Sequence, residues 1–143
     1  MLYIGLNLLQ QSPATVSNAH AITAKWEIQV RKGVLELVVL LAVRDREQYG
    51  YELITVITRA LEFEMSEGTV YPLLSRLLKE GLVAARWVES EGTVPRKYYR
   101  LTDAGAEALD AMQQSWTILT QAIDRLGSKG ASAVARLQRT GGR

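Results

Sequence analysis

The chain has no cysteine and only one histidine, His20, among its 143 residues. Without cysteine it has no disulfide framework, thiol nucleophile, iron–sulfur cluster or thiolate zinc site. One histidine leaves a single candidate for any Ser–His–Asp triad and removes most histidine-based metal sites. The sequence also contains no phosphate-binding loop, dinucleotide fingerprint or metal-ligand spacing. We therefore predict that the protein is not an enzyme and that it uses no metal or cofactor.

Long apolar runs are lacking as well. The longest, residues 34–43, is interrupted by Glu36 and is too short to span a bilayer, so no membrane association is predicted. Residues 1–24 carry no charged side chain, and the Ala-x-Ala at residues 19–21 resembles a signal-peptide cleavage site. Because the basic start of a signal peptide is missing, we interpret residues 1–24 as a poorly ordered leader. A cytoplasmic location is predicted.

Charge is distributed unevenly along the chain. The 17 basic and 15 acidic residues give a net charge of +2, and no acidic residue follows Leu126. The four basic residues after Leu126 predict a basic, flexible tail over residues 128–143. The high overall pI comes from this tail, so only a local basic cluster within the folded part can indicate nucleic-acid binding.

Hydrophobic periodicity predicts three helices in the first part of a domain over residues 25–102. Residues 26–43 are apolar nearly all round, as in a buried helix, and residues 49–61 carry one apolar stripe. A third helix with the strongest amphipathic pattern follows. Ser66 is its expected N-cap, and Gly81 its expected left-handed C-terminal residue.

After the third helix the apolar period changes from 3.6 to 2. Residues 83–88 and 96–101 alternate as two strands, and the polar Gly/Pro segment between them predicts a β-hairpin. Thr102 is the expected cap of a last helix over residues 103–127. The predicted fold is therefore mainly α with a small β-hairpin: a winged helix-turn-helix domain followed by a C-terminal helix.

The last helix carries a narrow apolar seam whose members are spaced alternately three and four residues apart. Such a strict heptad seam is typical of helices that pair with another chain, whereas a helix packed on its own domain usually has a wider stripe. We interpret it as a homodimerisation surface, with packing on the same chain as the alternative. The predicted dimerisation residues are Leu109, Met112, Trp116, Leu119 and Ile123.

The third helix and the hairpin tip carry the candidate DNA-binding residues. Small side chains on the outer face of the helix would let its backbone enter a major groove, and six basic residues stand against three acidic ones from Arg76 to Arg100. The alternative to DNA binding is an ordinary solvent-exposed face whose side chains happen to be small. The predicted DNA-binding residues are Ser66, Thr69, Tyr71, Ser75, Arg76, Lys79, Arg96 and Lys97.

Four strings of the sequence closely resemble the PadR family of transcriptional regulators: RKGVLELVVLLAV, YGYEL, SEGTVYPLLSRLLKEGLV and PRKYYRLTDAG. The resemblance spans about residues 26–126. It implies a dimeric winged-helix repressor whose third helix and wing bind a pseudo-palindromic operator. It also implies that the C-terminal helix packs against the N-terminal helix of the partner. Ser75 departs from the family, in which a basic residue is frequent at this position.

The resemblance also implies a ligand-binding role for Trp116, because family members that sense flat aromatic compounds stack them on a tryptophan at this place. The alternative is an apolar side chain that only fills the seam. We therefore expect a transcriptional repressor that is released by a small planar aromatic ligand, with operator DNA and a second copy of the chain as partners. The alternative function is a winged-helix protein-interaction module without operator binding.

Overall fold

The structure is a computed structural model that describes residues 13–140, with side-chain burial for residues 18–130. Its elements are, in order, α1 (Pro13–Ala42), β1 (Gln48–Tyr49), α2 (Gly50–Leu61), α3 (Glu67–Lys79), β2 (Val83–Val88), β3 (Arg96–Leu101) and α4 (Asp103–Thr140). The predicted class, mainly helical with a small antiparallel sheet, is confirmed. Among these described residues, no helix is long and apolar enough to cross a membrane.

The hydrophobic core lies where α1, α2 and α3 meet. The largest fully buried side chains include Leu40 of α1, Leu53 and Ile57 of α2, and Leu74 and Leu77 of α3. Burying each such side chain contributes about 1.5–3 kcal/mol, so these apolar stripes hold the three helices together. Because α3 turns its leucines inward, its opposite face is left in solvent.

A three-stranded antiparallel sheet packs beside the helices in the order β1-β3-β2. The predicted hairpin is present, with β2 and β3 paired from Val83↔Leu101 to Val88↔Arg96. The third strand, β1, was not predicted, and its residue Tyr49 was predicted as the start of the second helix. It has two residues, which is too short to show a period of two, and its pairing with β3 joins segments about fifty residues apart along the chain.

Both terminal helices are longer than the sequence predicted. α1 begins at Pro13 and α4 reaches Thr140, so residues 13–24 and 128–140 are helical, although they were predicted as a leader and a flexible tail. Residues 1–12 and 141–143 lie outside the described part. Residues 18–29 of α1 are all exposed, so they form no buried stripe and give no periodic signal from which to place the helix start.

Hydrogen bonds and one close backbone contact hold the start of α4 against the end of the sheet. The Thr102 hydroxyl donates to the Gly81 carbonyl at 2.6 Å and accepts from the Gly105 N–H at 3.0 Å, which confirms the predicted cap. Gly81 has a φ of 74°, the left-handed conformation predicted for it. Gly105 packs against the backbone of Leu82 so closely that a Cβ there would lie 1.9 Å from the Leu82 carbonyl oxygen. These contacts fix the direction in which α4 leaves the domain.

Candidate nucleic-acid interface

The solvent face of α3 consists of small or thin side chains. Val70, Leu74 and Leu77 are buried on the other side, so the helix is anchored to the core along one stripe. The exposed face carries Gly68, Thr69, Pro72, Ser75 and Lys79. With no bulky side chain along its centre, this face can approach a partner surface closely, as a helix in a major groove must.

Ser66 and Thr69 lie at the start of α3, on the side that faces α1. Ser66 has the extended backbone of an N-cap residue but makes no side-chain cap; its hydroxyl lies 3.0 Å from that of Thr69 instead. Both residues line a small groove with Arg31 and Phe63, whose guanidinium and ring are stacked 4.6 Å apart. Ser66 thus occupies its predicted position without the predicted hydrogen bond, and both hydroxyls remain exposed.

Tyr71 leans from α3 toward the sheet and lies over the first residue of α2. A Cβ on Gly50 would lie 2.5 Å from the Tyr71 hydroxyl oxygen, so only glycine lets the ring occupy this place. Burial, and to a smaller extent the charge of Glu67, raises the pKa of Tyr71 above its ordinary value. The hydroxyl therefore keeps its proton at neutral pH and can donate a hydrogen bond.

The two cations of the hairpin are oriented by aromatic rings. The Arg96 guanidinium lies 4.6 Å from the ring centre of Tyr49, and the Lys97 ammonium lies 5.8 Å from Trp87 and 5.7 Å from Tyr99. Contacts of this kind are attractive and restrict long side chains that would otherwise be mobile. Both charges are therefore held close to the sheet, Arg96 beside β1 and Lys97 beside β2.

A single open pocket of about 350 Å³ brings Tyr71, Arg96 and Lys97 together. Gly50 and Tyr51, the first residues of α2, and the exposed Trp87 also line it. Two cations and a phenolic O–H around one pocket suit an anionic group such as a phosphate, and aromatic rings suit the sugar or base beside it. The structure thus assembles three of the predicted DNA-binding residues at one place.

Arg76 is already engaged within the chain. Its Nη2 donates to Glu36 of α1 at 2.6 Å, and its Nη1 donates to both carboxylate oxygens of Glu80 at 2.9 and 3.0 Å. The hydrogen bond to Glu36, followed by that to Glu80, raises the pKa of Arg76 above its ordinary value. Because two carboxylates neutralise the guanidinium, Arg76 ties α3 to α1 and is not a free cation on the outer face.

The predicted dimerisation residues of α4 divide into two groups. Leu109 is 2% exposed and belongs to the core of its own chain, and Met112 packs partly against that core. We therefore remove Leu109 from the predicted intermolecular seam, because the burial that it needs is already supplied by its own domain. Trp116, Leu119 and Ile123 are 40%, 52% and 57% exposed.

A second cavity of about 350 Å³ lies between α1 and α4. Trp116 and Leu119 line it from α4, and Val34, Glu36 and Leu37 line it from α1. This groove is open on the side where α4 carries its exposed apolar residues. The predicted ligand-binding tryptophan is therefore at a cavity, and one half of its surroundings is supplied by α1.

Comparison with known proteins decides the family. The model of the Transcriptional regulator PadR-like family matches residues 39–111, which run from the end of α1 through the sheet to the first turns of α4. The chain belongs to the PadR-like family of transcriptional regulators. The resemblance drawn from the four sequence strings is thereby confirmed.

Solved structures of PadR-like proteins share the fold. A PadR-like transcriptional regulator from Bacillus cereus is 40% identical, with 68% of this chain and 95% of that chain covered and a TM-score of 0.63. A PadR family regulator from Eggerthella lenta is 32% identical, with 77% and 96% covered and a TM-score of 0.70. Bacillus subtilis PadR, solved in complex with operator DNA, is 27% identical, with 56% and 46% covered and a TM-score of 0.52.

Other residues of this pocket, among them Tyr49, Gly50 and Trp87, were missed as site residues by the sequence analysis. Tyr49 and Gly50 belong to the string YGYEL, whose family resemblance was the available signal, but their place beside Arg96 depends on the unpredicted strand β1. Trp87 is 66% exposed at the end of β2, directly opposite Lys97 in the register. An exposed tryptophan cannot be told from a buried one by strand alternation alone, so only the structure places it in the pocket.

Proposed function

We propose that this chain is a cytoplasmic, homodimeric, DNA-binding transcriptional repressor that a small planar aromatic ligand releases from its operator. The observation that carries DNA binding is the position of Tyr71, Arg96 and Lys97 around one pocket beside the small outer face of α3. A DNA strand that follows this edge would place a phosphate in the pocket while α3 enters the adjacent major groove. The Bacillus subtilis relative solved with operator DNA supports the same role.

In the proposed complex with DNA, the predicted DNA-binding residues have different roles. Arg96 and Lys97 contact phosphates, and the Tyr71 hydroxyl donates a hydrogen bond to the same DNA strand. On the exposed face of α3, Ser75 and Lys79 face the groove, and the exposed hydroxyls of Ser66 and Thr69 lie at the helix start, where a backbone phosphate is favourably placed. Arg76 stays on Glu36 and Glu80 and fixes the position of α3.

Neutralising both wing cations, with the double substitution Arg96→Gln and Lys97→Gln, is expected to weaken binding to all duplexes alike. Each phosphate contact releases about one counterion, so the slope of log K against log salt should become shallower by about two units. The measurement is fluorescence anisotropy of a labelled duplex at several salt concentrations.

The matched control for the wing variant is Arg125→Gln with Lys129→Gln, which removes the same charge from exposed positions on α4, away from the wing. This control should leave the slope within half a unit of wild type, a margin set by the roughly one unit per lost phosphate contact. An equal decrease of the salt slope in both variants would mean that DNA affinity depends only on the net charge of the protein. A changed sequence preference with an unchanged slope in the wing variant would show that these residues read bases.

Dimerisation is supported by two apolar helix faces that the domain leaves uncovered. On α4, Trp116, Leu119 and Ile123 are exposed, and Ile22 and Trp26 of α1 are 61% and 63% exposed. Exposed apolar residues repeated along two projecting helices are typical of a protein–protein interface. A second copy, related by a two-fold axis, would cover both faces and present its α3 to the next major groove, about 34–36 Å away.

Ligand release is supported by the groove beside Trp116. Its volume of about 350 Å³ is within the usual range of small-molecule sites, and the indole, 40% exposed in the single chain, offers a face on which a flat ring can stack. A ligand there would contact α1 and α4 together, the two elements that carry the proposed dimer surface. A ligand that binds more tightly to a dimer with a different angle between its two copies would shift the protein away from the shape that binds the operator. The operator affinity can then fall by no more than the ratio of the ligand's affinities for the two shapes.

Replacing Trp116 with alanine is expected to abolish binding of planar aromatic dyes, because the stacking face is lost. Trp116→Phe keeps an aromatic, apolar side chain in the dimer surface and should bind the same dyes about five- to tenfold more weakly, since less ring area is stacked. The readout is dye anisotropy at a protein concentration where sedimentation shows the same assembly for all variants. Undiminished binding to Trp116→Ala would remove Trp116 from the ligand site.

A further inference from the structure

The sheet has a basic face that the proposed operator contacts use only in part. Tyr99 of β3 is buried in the core, so by alternation its neighbours Tyr98 and Arg100 belong to the opposite face of the sheet. Arg86 of β2 lies directly opposite Tyr98 in the register, on that same face. We call the surface formed by these residues and Arg96 the arginine face. It is turned away from the hydrophobic core.

Positive charge is in excess on the arginine face. Glu47, which directly precedes β1, accepts a hydrogen bond from Arg86 Nε at 2.7 Å, yet the Arg86 side chain is still 61% exposed. Arg96 and Arg100 are exposed, and within the described part of the chain neither forms an ion pair. Three guanidiniums therefore stand beside one carboxylate, which makes this surface complementary to a polyanion.

Two tyrosine rings support the guanidiniums of the arginine face. The Arg96 guanidinium lies 4.6 Å from the ring centre of Tyr49, the Arg86 guanidinium lies 5.8 Å from that of Tyr98, and the two rings are 5.8 Å apart. A guanidinium beside a ring keeps its N–H groups available for hydrogen bonds in its own plane. Because the rings are already in contact with cations, the surface suits a phosphate backbone better than unstacked bases.

The three guanidiniums follow the direction of the strands. Arg96 and Arg100 are four residues apart in β3, and Arg86 is level with the residue halfway between them. At about 3.4 Å per residue, the three attachment points recur about every 7 Å over about 14 Å. One strand of a DNA duplex offers a phosphate about every 3.4 Å of helix axis. A duplex backbone that runs along this row therefore brings a phosphate within reach of each guanidinium.

We propose that the arginine face binds the phosphate backbone of the duplex DNA that flanks the operator. This inference rests on DNA binding in the proposed function and adds a second contact region to it. Arg96 connects the two regions, because it lines both the pocket of Tyr71 and a small cavity beside Tyr98. The leucines of α3 share one core with the buried face of the sheet. A duplex that α3 enters thus passes the hairpin tip and continues on the side of the arginine face.

The test compares two duplexes in a fluorescence anisotropy assay at several salt concentrations. The first is the site that the wild-type protein selects from a random duplex library, and the second has about ten base pairs of unrelated sequence added at each end, one helical turn. The wild-type protein should bind the extended duplex about five- to tenfold more tightly at low salt. Its salt slope should be steeper by about two units, one for a new phosphate contact at each end.

The double substitution Arg86→Gln with Arg100→Gln should remove the advantage of the extended duplex and leave binding of the short duplex unchanged, because neither residue lines the pocket of Tyr71. Arg86→Lys with Arg100→Lys should keep the steeper slope, since counterion release depends on the charge. Arg125→Gln with Lys129→Gln removes the same charge from α4 and should keep the full advantage. A structural role of the two arginines would weaken binding of both duplexes alike.

The inference is overturned if the wild-type protein gains nothing from the added DNA, if the glutamine variant weakens both duplexes by the same factor, or if the α4 control also loses the advantage. In each of these cases operator binding stands. If the wild-type protein binds no duplex, the proposed function fails and this inference fails with it. Weaker binding of poly-L-glutamate by the glutamine variant, without any gain of the wild type from the added DNA, would assign the arginine face to an acidic protein segment instead.

Discussion

Replacing Gly105 with alanine is expected to destabilise the fold by at least about 3 kcal/mol, because the new Cβ would overlap backbone and not a movable side chain. The Cβ would lie 1.9 Å from the Leu82 carbonyl oxygen and 2.9 Å from its carbonyl carbon. That oxygen also accepts the N–H of Thr102 at 3.2 Å, so any shift that relieves the overlap strains the joint between wing and α4. The measurement is urea unfolding at a fixed protomer concentration.

Gly127→Ala is the matched control for Gly105→Ala, since Gly127 lies in the same helix and a Cβ there would meet nothing within 4 Å. The Gly127→Ala variant should be as stable as the wild type or more stable by about 0.5–1 kcal/mol, the usual gain of alanine over glycine in a helix interior. Equal effects at the two positions would mean that Gly105 is kept for reasons other than its close approach to Leu82.

Replacing Leu119 with aspartate is expected to convert the protein to monomers that remain folded. Leu119 is 52% exposed in the single chain, so the charge costs little there. In the proposed dimer it would be buried against the partner without a counter-charge, at a cost of about 3–5 kcal/mol. Analytical ultracentrifugation gives the assembly, and circular dichroism shows whether the helices persist.

Ile118→Asp is the matched control for assembly, because Ile118 is 66% exposed on the same turn of α4 but lies off the heptad seam. It should leave the dimer intact. A Leu119→Asp protein that is folded and still dimeric would show that the proposed surface is not the interface, and dissociation of both variants would show that the interface is wider than the seam.

Elements with a strong local signal could be predicted from the sequence. A few neighbouring residues determine each of four features: the apolar period of α3, the left-handed Gly81 after it, the alternation of β2 and β3, and the Thr102 cap. The structure confirms all four. The family strings lie in the same part of the chain. The core and the hairpin could therefore be predicted from the sequence alone.

Features that depend on distant contacts could not be predicted. A heptad seam shows that Leu109 is buried, but it does not show whether the burial comes from the same chain or from a partner, and the domain core takes this residue. Arg76 carries the charge of a DNA contact, but its partner Glu36 is 40 positions away. The strand β1 exists only because β3 lies beside it.

The measurement that tests the central claim most directly is selection of bound duplexes from a random library by the wild-type protein. We expect an enriched inverted repeat whose half-sites are centred about one helical turn, 10–10.5 base pairs, apart, because two copies of α3 would enter successive major grooves. The same library with the Arg96→Gln, Lys97→Gln variant should yield far less bound DNA at equal salt. Failure of the wild-type protein to enrich any sequence, or enrichment of a site without two-fold symmetry, would contradict a dimeric operator-binding regulator.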